Sequence, residues 1–145
     1  MTSAVKRIIV LVVFVLVALG VLGIVSTIKK HYLWTVEKDI RNRLIEEANA
    51  QLGITYTTEY RNGKLSMIIA SVQPNSVIAR AGFKVGDAPQ YPVGVFYEKF
   101  MFGAGKELTI PIVRQDMKLE IKMIGPLLQL SEDPAPIHWD LDKKD

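Results

Sequence analysis

The side chains able to do chemistry are few and scattered in this chain of 145 residues. There is no cysteine, which removes disulfides, thiolate metal sites and a cysteine nucleophile. His31 and His138 lie far apart in sequence, so neither is read as a metal ligand or a general base. Ser66, Ser71 and Ser76 have no histidine in the same stretch to take their proton, and no carboxylate pair or nucleotide-binding loop is recognisable. The expectation is a protein that is not an enzyme, holds no metal and uses no cofactor.

The charge pattern narrows the partners. Eighteen Lys and Arg against fifteen Asp and Glu give a net charge of +3. Lys6 and Arg7 precede a long apolar run, so the remainder is nearly balanced and nucleic acid is not an expected partner. Residues 51–130 are richer in cations, whereas 131–145 hold Glu132, Asp133, Asp140, Asp142 and Asp145 against Lys143 and Lys144.

Residues 8–28 carry no charge. At about 1.5 Å per residue they make a helix of roughly 30 Å, the thickness of a bilayer's hydrocarbon core. A cleavable signal peptide has a shorter apolar region with small residues at its end, and Gly23-Ile24-Val25-Ser26 is a poor cleavage site. Residues 1–30 are therefore read as a membrane anchor. Lys29, Lys30, His31, Tyr32 and Trp34 suit the headgroup boundary, where amphipathic rings and snorkelling lysines sit well. With Lys38, Arg41 and Arg43 they make the carboxyl-terminal flank more positive than Lys6 and Arg7, which by the flanking-charge rule alone favours a cytoplasmic domain.

Behind the anchor, Val36, Ile40, Leu44 and Ala48 recur every four residues among charged neighbours, which predicts an amphipathic linker helix over 31–50. Residues 54–60 and 65–72 are rich in β-branched and aromatic types and flank Arg61-Asn62-Gly63-Lys64, a tight-turn sequence, so they predict a hairpin. A short helix is expected over 94–102, ended by Gly103-Ala104-Gly105. Leu108, Ile110 and Ile112, then Leu119, Ile121 and Met123, alternate with polar or neutral residues and predict two half-buried strands joined at 114–117. The segment 131–145, with Pro134 and Pro136 among its charges, reads as an acidic flexible tail in which Ile137 and Trp139 are candidates to dock on the domain.

Between the predicted hairpin and the short helix lies Val-Gln-Pro-Asn-Ser-Val-Ile-Ala-Arg-Ala-Gly-Phe-Lys-Val-Gly-Asp, residues 72–87. Pro74 and Asn75 suit a turn, Ser76 can cap a short helix, Gly82 can end it in a left-handed conformation, and Gly86-Asp87 suits the next turn. This run resembles the PDZ family in its circularly permuted bacterial form, found in high-temperature-requirement proteases and type II secretion inner-membrane proteins. The family pattern falls on Pro74, Ser76, Ala81, Gly82, Phe83, Gly86 and Asp87, with Val77-Ile78 in place of Pro-Ala and Phe83 in place of leucine. The resemblance covers residues 51–126 and implies an α+β chain: one transmembrane helix, then a small, PDZ-like, partly open β-barrel with short helices over 51–130. After Gly86-Asp87 the family continues with an apolar strand, whereas here Pro89 and Pro92 make a central strand unfavourable.

The resemblance also implies a peptide-binding site. Gln51, Leu52, Gly53 and Ile54 match the carboxylate-binding loop, where a glycine lets backbone N–H groups converge on an anion. Ile54, Thr55 and Tyr56 would offer a strand edge to the ligand, and Val95, Phe96, Lys99 and Phe100 would form the opposite wall. For the aromatic residues, plain core packing explains their presence equally well. The implied function is a membrane-anchored adaptor that captures a partner's carboxyl terminus or strand by β-augmentation. The alternatives are a structural subunit of a secretion or division complex and a regulator of a membrane protease. The expected partners are a protein or peptide of the membrane or envelope and the lipid bilayer. The expected location is the inner (cytoplasmic) membrane, with the PDZ-like domain extracytoplasmic, as in the membrane-anchored members of the family.

Overall fold

The computed structural model describes residues 3–61 and 63–139, with side chains from residue 11 onward. It begins with one helix, α1 (Ser3–Leu52), which contributes to two units divided after Asp39. In the first unit every described side chain from Leu11 to Lys30 is exposed, and α1 is long and apolar enough to cross a membrane. An apolar surface of this extent is matched by lipid. The hydroxyls of Thr27 and Thr35 donate back to the carbonyls of Gly23 and His31, both at 2.9 Å, which satisfies these donors without solvent. The His31 and Trp34 rings stack with centroids 6.5 Å apart, and Lys38 Nζ lies 5.4 Å from the Trp34 ring centre.

In the second unit, residues 40–145, the four-residue spacing of α1 becomes core. Leu44, Ala48 and Leu52 are fully buried, Ile40 is half-buried, and Val36, before the division, stays exposed. The chain then forms β1 (Ile54–Arg61) and β2 (Lys64–Val72), paired antiparallel from Ile54↔Val72 to Arg61↔Lys64. A register shift between Thr55 and Tyr56 leaves Ala70 as an extra residue on β2, a bulge that bends the hairpin. Gly63 in the turn is left-handed at φ 75°; its expected turn partner Asn62 lies outside the described residues.

The run 72–87 folds as its residue types dictate. Ser76 Oγ accepts from the Ala79 N–H at 3.1 Å, capping α2 (Val77–Ala81), which ends at Gly82 with φ 96°. β3 (Ala88–Pro89) is only two residues long: the Gln90 N–H still reaches Pro111 O at 2.9 Å, but Pro111 has no N–H to return the bond. Pro92 opens α3 (Val93–Met101), and β4 (Glu107–Arg114) and β5 (Met117–Ile124) complete the unit. Gln115 and Asp116, at φ 49° and 63°, supply the two left-handed positions of a tight β4–β5 turn.

The result is α+β, with two antiparallel sheets, β1-β2 and β3-β4-β5. Among the described residues they do not close into a barrel. They meet where the Ile69 N–H donates to Asp87 O (2.9 Å) and the Gly86 N–H to Ile69 O (2.8 Å). Apolar side chains from both sheets join the α1 stripe, Phe83, Phe96, Tyr97 and Phe100 in one core.

One buried charge organises the meeting point. The Asp87 carboxylate is fully buried and receives Arg114 Nε at 2.7 Å, Arg114 Nη2 at 2.8 Å and the Lys84 N–H at 2.8 Å. Arg114 Nη2 also donates to Gly82 O at 2.7 Å, tying the 82–87 loop to the end of β4. A two-pronged guanidinium–carboxylate bond with a third donor is the geometry in which a buried carboxylate is tolerated.

The described part of the tail runs along α1. The Gln51 side chain exchanges two hydrogen bonds with the backbone of Gln129, both 2.7 Å, and Glu47 Oε2 accepts the Ser131 N–H at 2.8 Å. Arg43 pairs with Glu132 at 2.8 Å, and Arg41, only 6% exposed, donates to His138 O at 3.1 Å. Trp139 is 4% exposed, and its Nε1–H reaches Pro134 O at 3.1 Å. Its backbone sits on Gly94: a Cβ there would lie 1.9 Å from Trp139 O. Residues 140–145 of the expected flexible tail lie outside the described residues.

Three outcomes follow from this packing. Arg114→Leu leaves the Asp87 carboxylate buried without its cation and is expected to cost roughly 3 kcal/mol in chemical denaturation, while Asp87→Asn combined with Arg114→Leu recovers part of that loss in a double-mutant cycle. Gly94→Ala in a Trp34→Phe background is expected to expel Trp139, read as a red shift of its fluorescence; an unshifted spectrum would contradict the contact. The Glu47 carboxyl is held below the ordinary carboxylate range by the Ser131 hydrogen bonds and by Arg43. Its anchorage of the tail is therefore complete above that range and is lost as pH falls through the depressed value, so acid titration of the same fluorescence should show a transition that Glu47→Gln abolishes.

Candidate functional site

The candidate site starts where α1 stops. Gly53, at φ 76°, occupies the left-handed position after the helix, and its N–H donates to Asn49 O at 2.9 Å, the bond that ends α1. Its carbonyl accepts the Gln73 N–H at 2.8 Å, which begins the β1–β2 ladder. A Cβ on Gly53 would stand 2.4 Å from Ser76 Cβ. The glycine therefore has a structural reason on both counts, backbone conformation and close approach. Its N–H, expected to face a carboxylate, is spent on the end of the helix.

From this fixed start the direction of the β1 backbone can be worked out. Ile69 sends its N–H and C=O to the 86–87 loop, away from β1. Its partner across the ladder is Tyr56, so this is a non-hydrogen-bonded pair and the Tyr56 amide and carbonyl also point away, to the outer side. Alternation extends the pattern to Thr58 and Tyr60. β1 pairs with β2 alone, so this outer edge has no strand partner among the described residues. Beyond Tyr56 every described β1 side chain is exposed.

The residues expected to form the site divide into two groups. Leu52, Gly53, Ile54, Phe96 and Phe100 are buried in the core. Phe96 meets Phe83 edge-on at 6.5 Å and Phe100 at 4.9 Å, so the aromatic face of α3 serves packing. Gln51 is exposed but engaged with Gln129. Thr55 is exposed, its hydroxyl 2.7 Å from that of Ser71. Tyr56, Val95 and Lys99 are half-buried, and Lys99 Nζ lies 4.6 Å from the Tyr91 ring centre. Tyr56 and Tyr97 bring β1 and α3 together, with ring centroids 5.9 Å apart.

Tyr97 and Asn49 are the residues that sequence reasoning missed. The Tyr97 hydroxyl donates to Asn49 Oδ1, joining α3 to the last turns of α1. Burial pushes the Tyr97 hydroxyl far above its ordinary pKa and the Tyr56 hydroxyl up as well, so both stay protonated donors across the physiological range. Tyr97 lies beside Phe96 in sequence and is equally buried, a broader apolar face than the pattern Val95, Phe96, Phe100 suggests. Nothing local to Asn49 signals the bond. Of the three serines, Ser71 is paired with Thr55 and Ser76 caps α2, both structural roles. Among the described residues no group of three or more His, Asp and Glu could hold a metal ion. No protein-family model matches the chain, and no curated protein matches it.

Gly53→Val is expected to lower the melting temperature markedly, because it puts a branched side chain both at positive φ and against Ser76. A fully stable Gly53→Val protein would contradict the assignment of this residue to the α1–β1 junction.

Proposed function

We propose that the chain is a membrane-anchored strand-capture module, PDZ-like in type, in which α1 holds the second unit at a bilayer and β1 takes up an extended segment of a partner protein. The observation that carries this reading is the unpaired outer edge of β1. A row of alternating N–H and C=O groups at Tyr56, Thr58 and Tyr60, with mostly exposed side chains on both faces, is the template for β-augmentation, in which main-chain bonds give affinity and neighbouring side chains give selectivity. Tyr56 lies on that edge with its ring against Tyr97 of α3, the helix that also carries Val95 and Lys99. The carboxylate-loop part of the family resemblance is the weaker element, since the Gly53 N–H is engaged with Asn49. An internal strand fits the edge better than a free carboxyl terminus.

The anchor reading rests on the length and apolar surface of α1. An extracytoplasmic position for the second unit follows from the resemblance to anchored PDZ proteins and from Lys6 and Arg7 before the apolar run. The role is that of a binding adaptor without catalysis.

The test uses proline as a probe of direction. Thr58→Pro removes an outward N–H and leaves the β1–β2 ladder intact, whereas Thr57→Pro removes a ladder donor. In full-length protein in native membranes, a photo-crosslinking residue at Tyr60 should give a discrete partner adduct that Thr58→Pro abolishes without lowering protein levels, while Thr57→Pro lowers the levels themselves. Adducts unaffected by Thr58→Pro, or adducts only from probes on β5, would replace strand capture by the structural-subunit reading.

A further inference from the structure

β5 lies at the end of its sheet, whose order is β3-β4-β5, and has β4 as its one strand neighbour among the described residues. The direction of its main-chain groups follows from a single bond. The Gln90 N–H donates to Pro111 O from the β3 side, so Pro111 faces away from β5 and its partner Glu120 belongs to a non-hydrogen-bonded pair. The two-residue turn at Gln115-Asp116 gives the same parity, since such a turn is closed by a hydrogen-bonded pair, here Arg114 and Met117. Glu120 therefore sends its N–H and C=O outward, and alternation sends those of Lys118, Lys122 and Ile124 the same way. Among the described residues no other main chain bonds to these groups.

The side chains leave this edge open. Lys118, Glu120, Lys122 and Ile124 are all exposed. Ile121 is buried, but its main chain bonds inward to Ile110 of β4 and its side chain belongs to the core, so its burial does not cover the edge. Leu119 is exposed and Met123 half-buried on the core-facing side of the strand. Among the described residues Lys118, Glu120 and Lys122 have no ion-pair partner. Lysines on an edge strand keep unwanted strands away, a purpose that exposed Leu119 and Ile124 do not serve.

The order of the charges decides what fits. Outward groups must meet outward groups, so two antiparallel copies of β5 pair about a two-fold axis that passes through a residue. With the axis at Ile121, Glu120 of each copy stands directly across from Lys122 of the other and Leu119 across from Met123, and residues 118–124 all lie within the paired strands. With the axis at Glu120, the two Glu120 side chains oppose each other and Lys118 opposes Lys122. With the axis at Lys122, the two Lys122 side chains meet. Like charges directly opposite are destabilising. An axis at Leu119 matches Lys118 with Glu120, but the paired strands then run into the left-handed turn at Gln115 and Asp116.

We propose that the outer edge of β5 joins a second copy of this chain in an antiparallel pair centred on Ile121, making one continuous sheet from two β3-β4-β5 sheets. Main-chain bonds hold the pair, reciprocal Glu120–Lys122 contacts set its register, and Leu119 packs on the partner's Met123. Edge pairing buries little side-chain surface, so association is weak in dilute solution and grows where chains share a bilayer. The interface uses no residue of β1 and does not rest on strand capture there.

The experiment uses the full chain, labelled with a donor or an acceptor dye on a cysteine added after Asp145; the chain has no cysteine of its own. The two labelled forms are mixed in vesicles of neutral phosphatidylcholine, and energy transfer is followed as the ratio of protein to lipid rises. Transfer should saturate, and Glu120→Lys or Lys122→Glu should each require about tenfold more chain per lipid. Mixing the two reversals, donor on one and acceptor on the other, should restore the original curve, because every lysine at these positions again faces a glutamate. Amide exchange at Glu120 and Lys122 should slow in parallel. Transfer no greater than that of unassociated chains, transfer that both reversals leave unchanged, or a mixture that stays as weak as the single reversals would overturn the interface. Slowed exchange at Tyr56 and Thr58 in place of Glu120 and Lys122 would overturn it by placing self-association on β1.

Discussion

Much of the second unit depends on one backbone position, the left-handed Gly53 pressed against Ser76. Its N–H closes α1 on Asn49 and its carbonyl opens the β1–β2 ladder on Gln73. A helix arriving from a membrane-length apolar segment is thereby converted into a strand within one residue. The position of that switch also fixes the parity of the ladder. With Gly53 bonded inward, and after the bulge at Ala70, Tyr56 and Thr58 must face outward. The orientation of the proposed binding edge is thus a consequence of where the helix ends.

Around this switch the molecule uses its polar groups to lock elements that are remote in sequence. Tyr97 holds α3 to α1 through Asn49, Arg114 holds the 82–87 loop to β4 through Asp87, and Gln51 holds the tail to α1 through Gln129. Each bond closes a long stretch of chain and orients an apolar face that has nowhere else to go. The ladder that would have joined the two sheets is cut short by Pro89. Among the described residues β1 has no second strand partner and keeps its outward main-chain groups available, in keeping with the proposed capture of another strand.

The elements were legible in the sequence where one local period decided the matter. The stripe Ile40, Leu44, Ala48, the alternation at Leu108, Ile110, Ile112, and the turn residues around Gly63 each point to a single element, and Ser76 and Gly82 mark both ends of α2. One helix runs through residues expected to be split between anchor and linker, because no glycine or proline interrupts it between Gly23 and Leu52. The site was legible only as a neighbourhood. Phe96 and Phe100 carry the residue types of a binding wall, yet the core claims them, and a one-face helical pattern does not reveal which face the sheet will cover. The pairs Asn49–Tyr97 and Asp87–Arg114 link residues far apart, with no periodicity to announce them. Trp139 stood out against its acidic surroundings, but its seat on Gly94 depends on the tertiary fold.

The proposed strand capture requires the outer edge of β1 to be open in the isolated chain and occupied in the membrane. Residue-resolved hydrogen–deuterium exchange, performed on the purified full-length protein and again in native membranes, reads this directly. Fast exchange is expected at Tyr56, Thr58 and Tyr60 in the purified chain and strong protection of those amides in the membrane, with the inward amides of Thr57 and Glu59 protected in both. Amides at Tyr56 and Thr58 that are already protected in the purified chain, or that stay unprotected in native membranes, would contradict it.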